Sequence, residues 1–232
     1  MDYLPNPYSA IRLSLFVGLW CVFLGAPIAV FFGWILARKS FFGKSVLGTL
    51  LLVPLVTPPV VTGFILLKVF GNSKPLGQLL SHLGISVPFH FLGVVLAALV
   101  MGMPLYVLAA RNAFESVDPH YEDLAATLGH RKKWIFLKVT LPLAIPGILA
   151  GALLMFARAL GEFGATVVLA GNIEGETRTI PLALYTLMES THAENSTGVL
   201  LVGSLVMAFG SLFFYDRMIR HQRRTLELDH ES

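Results

Sequence analysis

Apolar residues in this chain neither alternate nor recur as a narrow stripe; they come in long blocks divided by short charged stretches. Crossing a bilayer takes about 20 apolar residues of helix. Five stretches without Asp, Glu, Lys or Arg reach that length: 13–37, 45–67, the part of 75–110 placed at 91–110, 139–157 and 195–215. The pattern predicts five spanning helices. Two further runs, 163–173 and 179–188, are too short to span and suit a buried or re-entrant segment. The first run is not expected to be a cleaved signal peptide. It is too long for a signal core, and bulky Ile35 and Leu36 stand where small residues precede a cut.

Composition supports this pattern. Only 13% of the 232 residues are charged and 55% are hydrophobic, against about 25% charged in soluble domains. Such a chain cannot cover a water-facing surface, which excludes a soluble enzyme and a disordered segment. The single cysteine, Cys21, excludes a disulfide framework and a multi-cysteine metal site.

The basic residues set an orientation. Arg38, Lys39 and Lys44 follow the first span; Arg111, Arg131, Lys132, Lys133 and Lys138 follow the third; Arg217, Arg220, Arg223 and Arg224 follow the fifth. These twelve of seventeen basic residues predict the cytoplasmic side. The other side carries Lys74 and Arg178 with Glu162, Glu174, Glu176, Glu189 and Glu194. The amino terminus is therefore expected outside and the carboxyl terminus, with the tail 216–232, in the cytoplasm.

The connection 111–138 is long for so compact a membrane protein, and long connections tend to be functional. Asp118-Pro119 predicts a helix start. The stretch that follows places Tyr121, Leu124, Ala125 and Leu128 on one face, and Gly129 suits a left-handed terminating residue. Two readings of this amphipathic helix stand at this point: an interfacial anchor with Trp134 at headgroup level, or a docking surface for a soluble partner.

Asp123-Leu124-Ala125, three residues, Gly129, nine residues, then Val139-x-Leu141-Pro142 resembles the cytoplasmic coupling motif of type I ABC importer permeases. That motif reads Glu-Ala-Ala, three residues, Gly, nine residues, Ile, one residue, Leu-Pro. The spacing is intact. Asp123, Leu124 and Val139 depart from the pattern, and Glu122 supplies a neighbouring acid. Ala37 to Lys44, Val53 to Val61, Ala157 to Thr166 and Gly175 to Pro181 resemble the molybdate permease subfamily, and the likeness extends from about residue 9 to 215. It implies an all-α polytopic membrane protein of the type I permease fold, with five transmembrane helices and a coupling segment at 118–133. The implied coupling residues are Glu122, Asp123, Leu124, Ala125, Gly129, Leu141 and Pro142.

The resemblance also implies a homodimer in the prokaryotic cytoplasmic membrane. Two cytoplasmic ATPase subunits would dock on it, and an extracytoplasmic oxyanion-binding protein would deliver the cargo. Nucleic acid is not an expected partner. ATP and Mg²⁺ belong to the ATPase, so this chain is expected to bind no cofactor and to be no enzyme. Some members carry one more helix in front, which this chain is expected to lack.

Three features point to a transport route. Pro54, Pro58 and Pro59 free backbone carbonyls within the second span, beside Thr57 and Thr62. Such breaks are tolerated at membrane depth where protein or a water-filled cavity satisfies the backbone. Arg158 and Glu162 lie four residues apart at one end of the fourth span and share a helical face, as an ion pair or as contacts for the anion. The short run 163–173 would enter from outside and return, shaping the external mouth or gate, or else form an ordinary folded external loop.

Other motifs lead nowhere. Gly43-Lys44-Ser45 ends like a phosphate-binding loop, but Arg38 occupies the position of the required first glycine. His82, His90, His120, His130, His192, His221 and His230 are scattered with no metal-binding spacing. No catalytic grouping lies on one membrane level. A self-contained secondary transporter is the rival class, and the odd span count and missing internal repeat argue against it. Tungstate, sulfate and phosphate permeases of the same architecture are the close competitors for substrate.

Overall fold

The computed structural model describes residues 6–189 and 194–230, with side chains in these ranges except 194–196 and 218–230. His192 and residues 231–232 of the tail therefore lie outside it, as do the side chains of His221, His230, Arg220, Arg223 and Arg224. Among the described residues the regular structure is entirely helical.

Helix α1 (Pro7–Arg38) starts at Asn6, whose side chain accepts from the Tyr8 amide, with proline at its first position. It packs along α5 (Phe91–Glu115) and α8 (Leu141–Leu160), and these three make the core. Small residues let them approach. Ala29, Ala98, Ala110, Ala144 and Ala152 are all buried, the composition expected where membrane helices associate by close packing. Outward-facing Phe23, Val56, Phe209 and Phe213 remain exposed, as lipid or partner contacts require.

Among the described residues four stretches are each long and apolar enough to cross a membrane: Pro7–Arg38, Phe91–Glu115, Lys132–Leu160 and Thr197–Arg217 of α11 (Glu194–His230). The run 45–67 is not the single kinked helix the sequence suggested. It forms α2 (Lys44–Val56) and α3 (Pro59–Phe70), bent by 111°, a broken span or a re-entrant loop, so the expected five spans are reached only if this pair counts as one. The cause is the double proline. Thr57 at φ −71°, ψ 135° and Pro58 at φ −53°, ψ 131° are both extended, because a residue that precedes proline is driven out of the helical region. Pro54 lies inside α2 without ending it, as do Pro27, Pro104 and Pro146 in their helices.

The remaining elements are short. Helix α4 (Pro75–His82) follows α3, and α6 (Pro119–Thr127) follows α5. Helix α7 (Lys132–Ile135) runs through a π-helical turn, Phe136–Thr140, directly into α8. The fourth span is thus one 29-residue stretch that begins at the basic cluster. Within 163–173 only α9 (Gly164–Leu169) is helical, and it packs against α3 and α5. The run 179–188 forms α10 (Ile180–Met188), whose first amide donates to Ser14 Oγ at 2.9 Å.

Candidate functional site

Two assemblies of side chains stand out, one at the end of the bundle that carries α6 and one where the broken span meets α9.

At the first, the cap expected at Asp118 is formed: its carboxylate accepts from the His120 amide at 2.9 Å, with Pro119 opening α6. Gly129 closes the segment at φ +85°, and a Cβ there would meet nothing within 4 Å. The expected apolar face is only partly used. Ala125 is buried, whereas Tyr121, Leu124 and Leu128 are exposed, Leu128 at 78%. Trp134 is also exposed and stacks on His130 at 3.7 Å between ring centroids. The helix is therefore pinned on one side and bare on the other.

Glu122 makes the pin. Its carboxylate lies 3.1 Å from Arg38 Nε at the end of α1, an ion pair without hydrogen-bond alignment, and accepts from Thr140 Oγ1 at 3.0 Å. Arg38 also donates through Nη2 to the Val117 carbonyl at 2.6 Å. Thr140 is 1% exposed and closes the π turn between Val139 and Leu141-Pro142. A π turn holds an extra residue per turn and often marks a functional position. Here it sets Thr140 against Glu122 of α6. So Glu122, not Asp123, joins α6 to both α1 and the α8 span.

The sequence reading missed Arg38 and Thr140 as members of this group. Arg38 read only as a topology signal, and Thr140 is an unmarked residue inside the motif. No local spacing links positions 38, 122 and 140; the fold brings them together.

At the second assembly, the structure gathers most of the expected pathway residues. Arg158 Nη1 pairs with Glu162 Oε2 at 2.8 Å, and Glu162 is only 2% exposed. Its other oxygen accepts from the Ala165 amide at 2.8 Å, tying the α8–α9 corner. That corner presses on the broken span. A Cβ on Gly63 would lie 2.7 Å from the Ala165 carbonyl oxygen, and one on Gly164 would lie 2.9 Å from Pro59. Only glycine allows α3 and α9 this approach.

Thr62 is buried on α3, and Thr57 stands at the break. The Thr57 hydroxyl donates to the Val53 carbonyl at 2.9 Å, and that carbonyl also receives the Thr57 amide. Its proton is spent on the chain. The Pro58 carbonyl accepts from the Val61 and Thr62 amides, so the break is satisfied largely from within. Thr166 Oγ1 on α9, fully buried, has no hydrogen-bond partner.

A bundle of long apolar helices, with an amphipathic segment pinned at one end and a sharply bent helix pair, is the architecture of a polytopic membrane protein. The chain belongs to the family of binding-protein-dependent transport system inner membrane components, whose model matches residues 29–226. It has the type I ABC importer permease fold. Among curated proteins it is 44% identical over 217 residues to the molybdenum transport system permease protein ModB of Escherichia coli (strain K12). That match covers 93% of this chain and 95% of the relative. It is 41% identical to the protein of the same name from Haemophilus influenzae, covering 94% and 96% of the two chains.

Solved structures share the fold at low identity. An inward-facing MetNI methionine ABC transporter matches with a TM-score of 0.64 at 14% identity, covering 93% of this chain and 94% of that one. A bacterial alginate ABC transporter in complex with alginate pentasaccharide-bound periplasmic protein matches with a TM-score of 0.68 at 15% identity, covering 94% and 78%.

Proposed function

We propose that this chain is the permease subunit of a molybdate importer, and that it works as a homodimer with two cytoplasmic ATPase subunits and an external oxyanion-binding protein. The observation that carries this reading is likeness along nearly the whole chain to permeases named for molybdenum transport. ATP and Mg²⁺ act on the partner ATPase; this chain supplies the route and the coupling surface. Positive-inside placement puts α6 and the carboxyl terminus in the cytoplasm and the amino terminus outside.

The geometry supports a mechanical role for each assembly. The exposed Tyr121, Leu124 and Leu128 offer a docking face with Asp123 beside it, and Gly129 turns the chain at its end. Glu122 hands motion of that face to α1 through Arg38 and to the α8 span through Thr140 and the Leu141-Pro142 start. At the far end, the Arg158–Glu162 pair braces α9 against α3, so that tilting of α8 moves the broken span at Thr57, Pro58 and Pro59, with Thr62 beside it. Two protomers facing each other across a two-fold axis would enclose a route that one bundle lacks.

Solubilising the protein from its native membranes and identifying what co-purifies tests the assembly. Two copies of this chain with two ATPase subunits are expected. Isolation as a self-sufficient carrier would contradict the proposal.

A further inference from the structure

A cleft of about 520 Å³ opens between α2 and α5, at the end of the bundle that carries the coupling helix. Its size falls within the range of about 300–1,000 Å³ usual for small-ligand sites. One wall is the first two turns of α2, contributing Lys44, Ser45 and Thr49. Facing them, α5 contributes Arg111, and leucines from α1 and α2 complete the apolar interior. Gly48 adds space, since a Cβ there would touch only the tip of Leu36 at 4.0 Å.

The polar groups of this cleft are largely unspent. Lys44, Ser45 and Thr49 make no side-chain hydrogen bond or ion pair among the described residues, whereas Thr57, Ser81, Ser116 and Thr127 all bond back to carbonyls of their own helices. Arg111 pairs through Nε with Glu115 Oε1 at 2.7 Å, which leaves its two terminal nitrogens. Gly43, at φ +91°, caps α2 without a side-chain bond, so the first-turn amides add partial positive charge. Two cations, two hydroxyls and a helix start without a side-chain cap outweigh the one carboxylate, Glu115. The mouth is cationic and rich in donors; the floor is apolar.

We propose that this cleft binds a tetrahedral oxyanion group, either the phosphate of an anionic phospholipid or the free anion leaving the transport route. Lys44 and Arg111 supply charge, and Ser45 and Thr49 supply hydroxyl donors to its oxygens. Basic pockets between spans on the cytoplasmic side suit anionic headgroups, and the leucine floor suits an acyl chain. The free-anion source rests on the transport reading above; the lipid source does not.

The test uses the full-length protein in neutral detergent. Native mass spectrometry measures retention of phosphatidylglycerol against phosphatidylcholine, and equilibrium dialysis measures sodium molybdate. Wild type is compared with Lys44→Arg and with Lys44→Ala/Thr49→Val. Neither side chain has a partner to lose, so unfolding temperature and dimer content report that each variant is folded. Loss of one charged and one neutral contact is expected to weaken the retained probe by about tenfold or more, and Lys44→Arg is expected to keep most binding. Retention of phosphatidylglycerol alone assigns the lipid, and retention of molybdate alone assigns the free anion. Retention of both with mutual competition assigns one site to both. Retention of neither above phosphatidylcholine, or equal binding by the folded double variant, overturns the proposal. Because uptake is not measured, that failure leaves the transport reading standing.

Discussion

Replacing Arg158 by alanine strips the buried Glu162 carboxylate of its 2.8 Å partner and leaves it one protein donor, the Ala165 amide. Breaking a buried pair from one side costs about 3–5 kcal/mol, because the remaining charge is left uncompensated. Arg158 is 24% exposed, so water reaches that side and the lower end, about 3 kcal/mol, applies. For a chain of this size that is a fall of roughly 6–12 °C in unfolding temperature. Adding Glu162→Gln removes the stranded charge and keeps an oxygen for the Ala165 amide. The double variant should therefore recover all but about 1 kcal/mol, the net worth of an ordinary hydrogen bond. Thermal unfolding of the four proteins in one detergent closes the cycle, with an expected coupling of about 2 kcal/mol or more. Additive losses, or an Arg158→Ala variant as stable as wild type, would refute the bracing role. A stable double variant that transports poorly would instead give the arginine a part in attracting the anion.

Three further outcomes are expected. Gly129→Asp meets no neighbour in its own chain and should cost only about 1–2 kcal/mol of backbone strain, with normal dimer yet lost uptake; normal uptake would argue against docking at this turn. Arg38→Ala frees Glu122 and the Val117 carbonyl, so ATP turnover by the assembled complex should continue while uptake falls, and Arg38→Lys should restore only part because an ammonium lacks the planar fork; uptake unchanged in Arg38→Ala would remove this link. In a Cys21→Ser background, which keeps a donor to the Val95 carbonyl, an impermeant reagent added outside should label Ser73→Cys and spare Ser40→Cys; the reverse pattern would invert the topology.

The spans were legible because burial in lipid needs long uncharged runs, and the sequence has them wherever a long helix forms. Helix α6 was legible for a different reason: Asp118, Pro119 and Gly129 act through their own backbone, so local chemistry placed both ends. The break at Pro58-Pro59 was visible, but not its 111° angle. The double proline makes the bend, but the seating of α9 on α3 through Gly63 and Gly164 joins residues far apart in the chain and left no local mark. The π turn left no local mark, and the joining of Arg38, Glu122 and Thr140 is a product of three helices meeting. Arg158 and Glu162 could be paired from their spacing alone, whereas the Ala165 amide bond depends on the turn into α9.

The most direct test of the central reading is uptake of labelled molybdate into proteoliposomes that hold this chain with its ATPase, the loaded binding protein being added outside. Accumulation should require ATP inside and the binding protein outside, and excess unlabelled tungstate should compete. Uptake by this chain alone, driven by an ion gradient without ATP, would contradict the account, as would a complete assembly that moves another oxyanion and leaves molybdate outside.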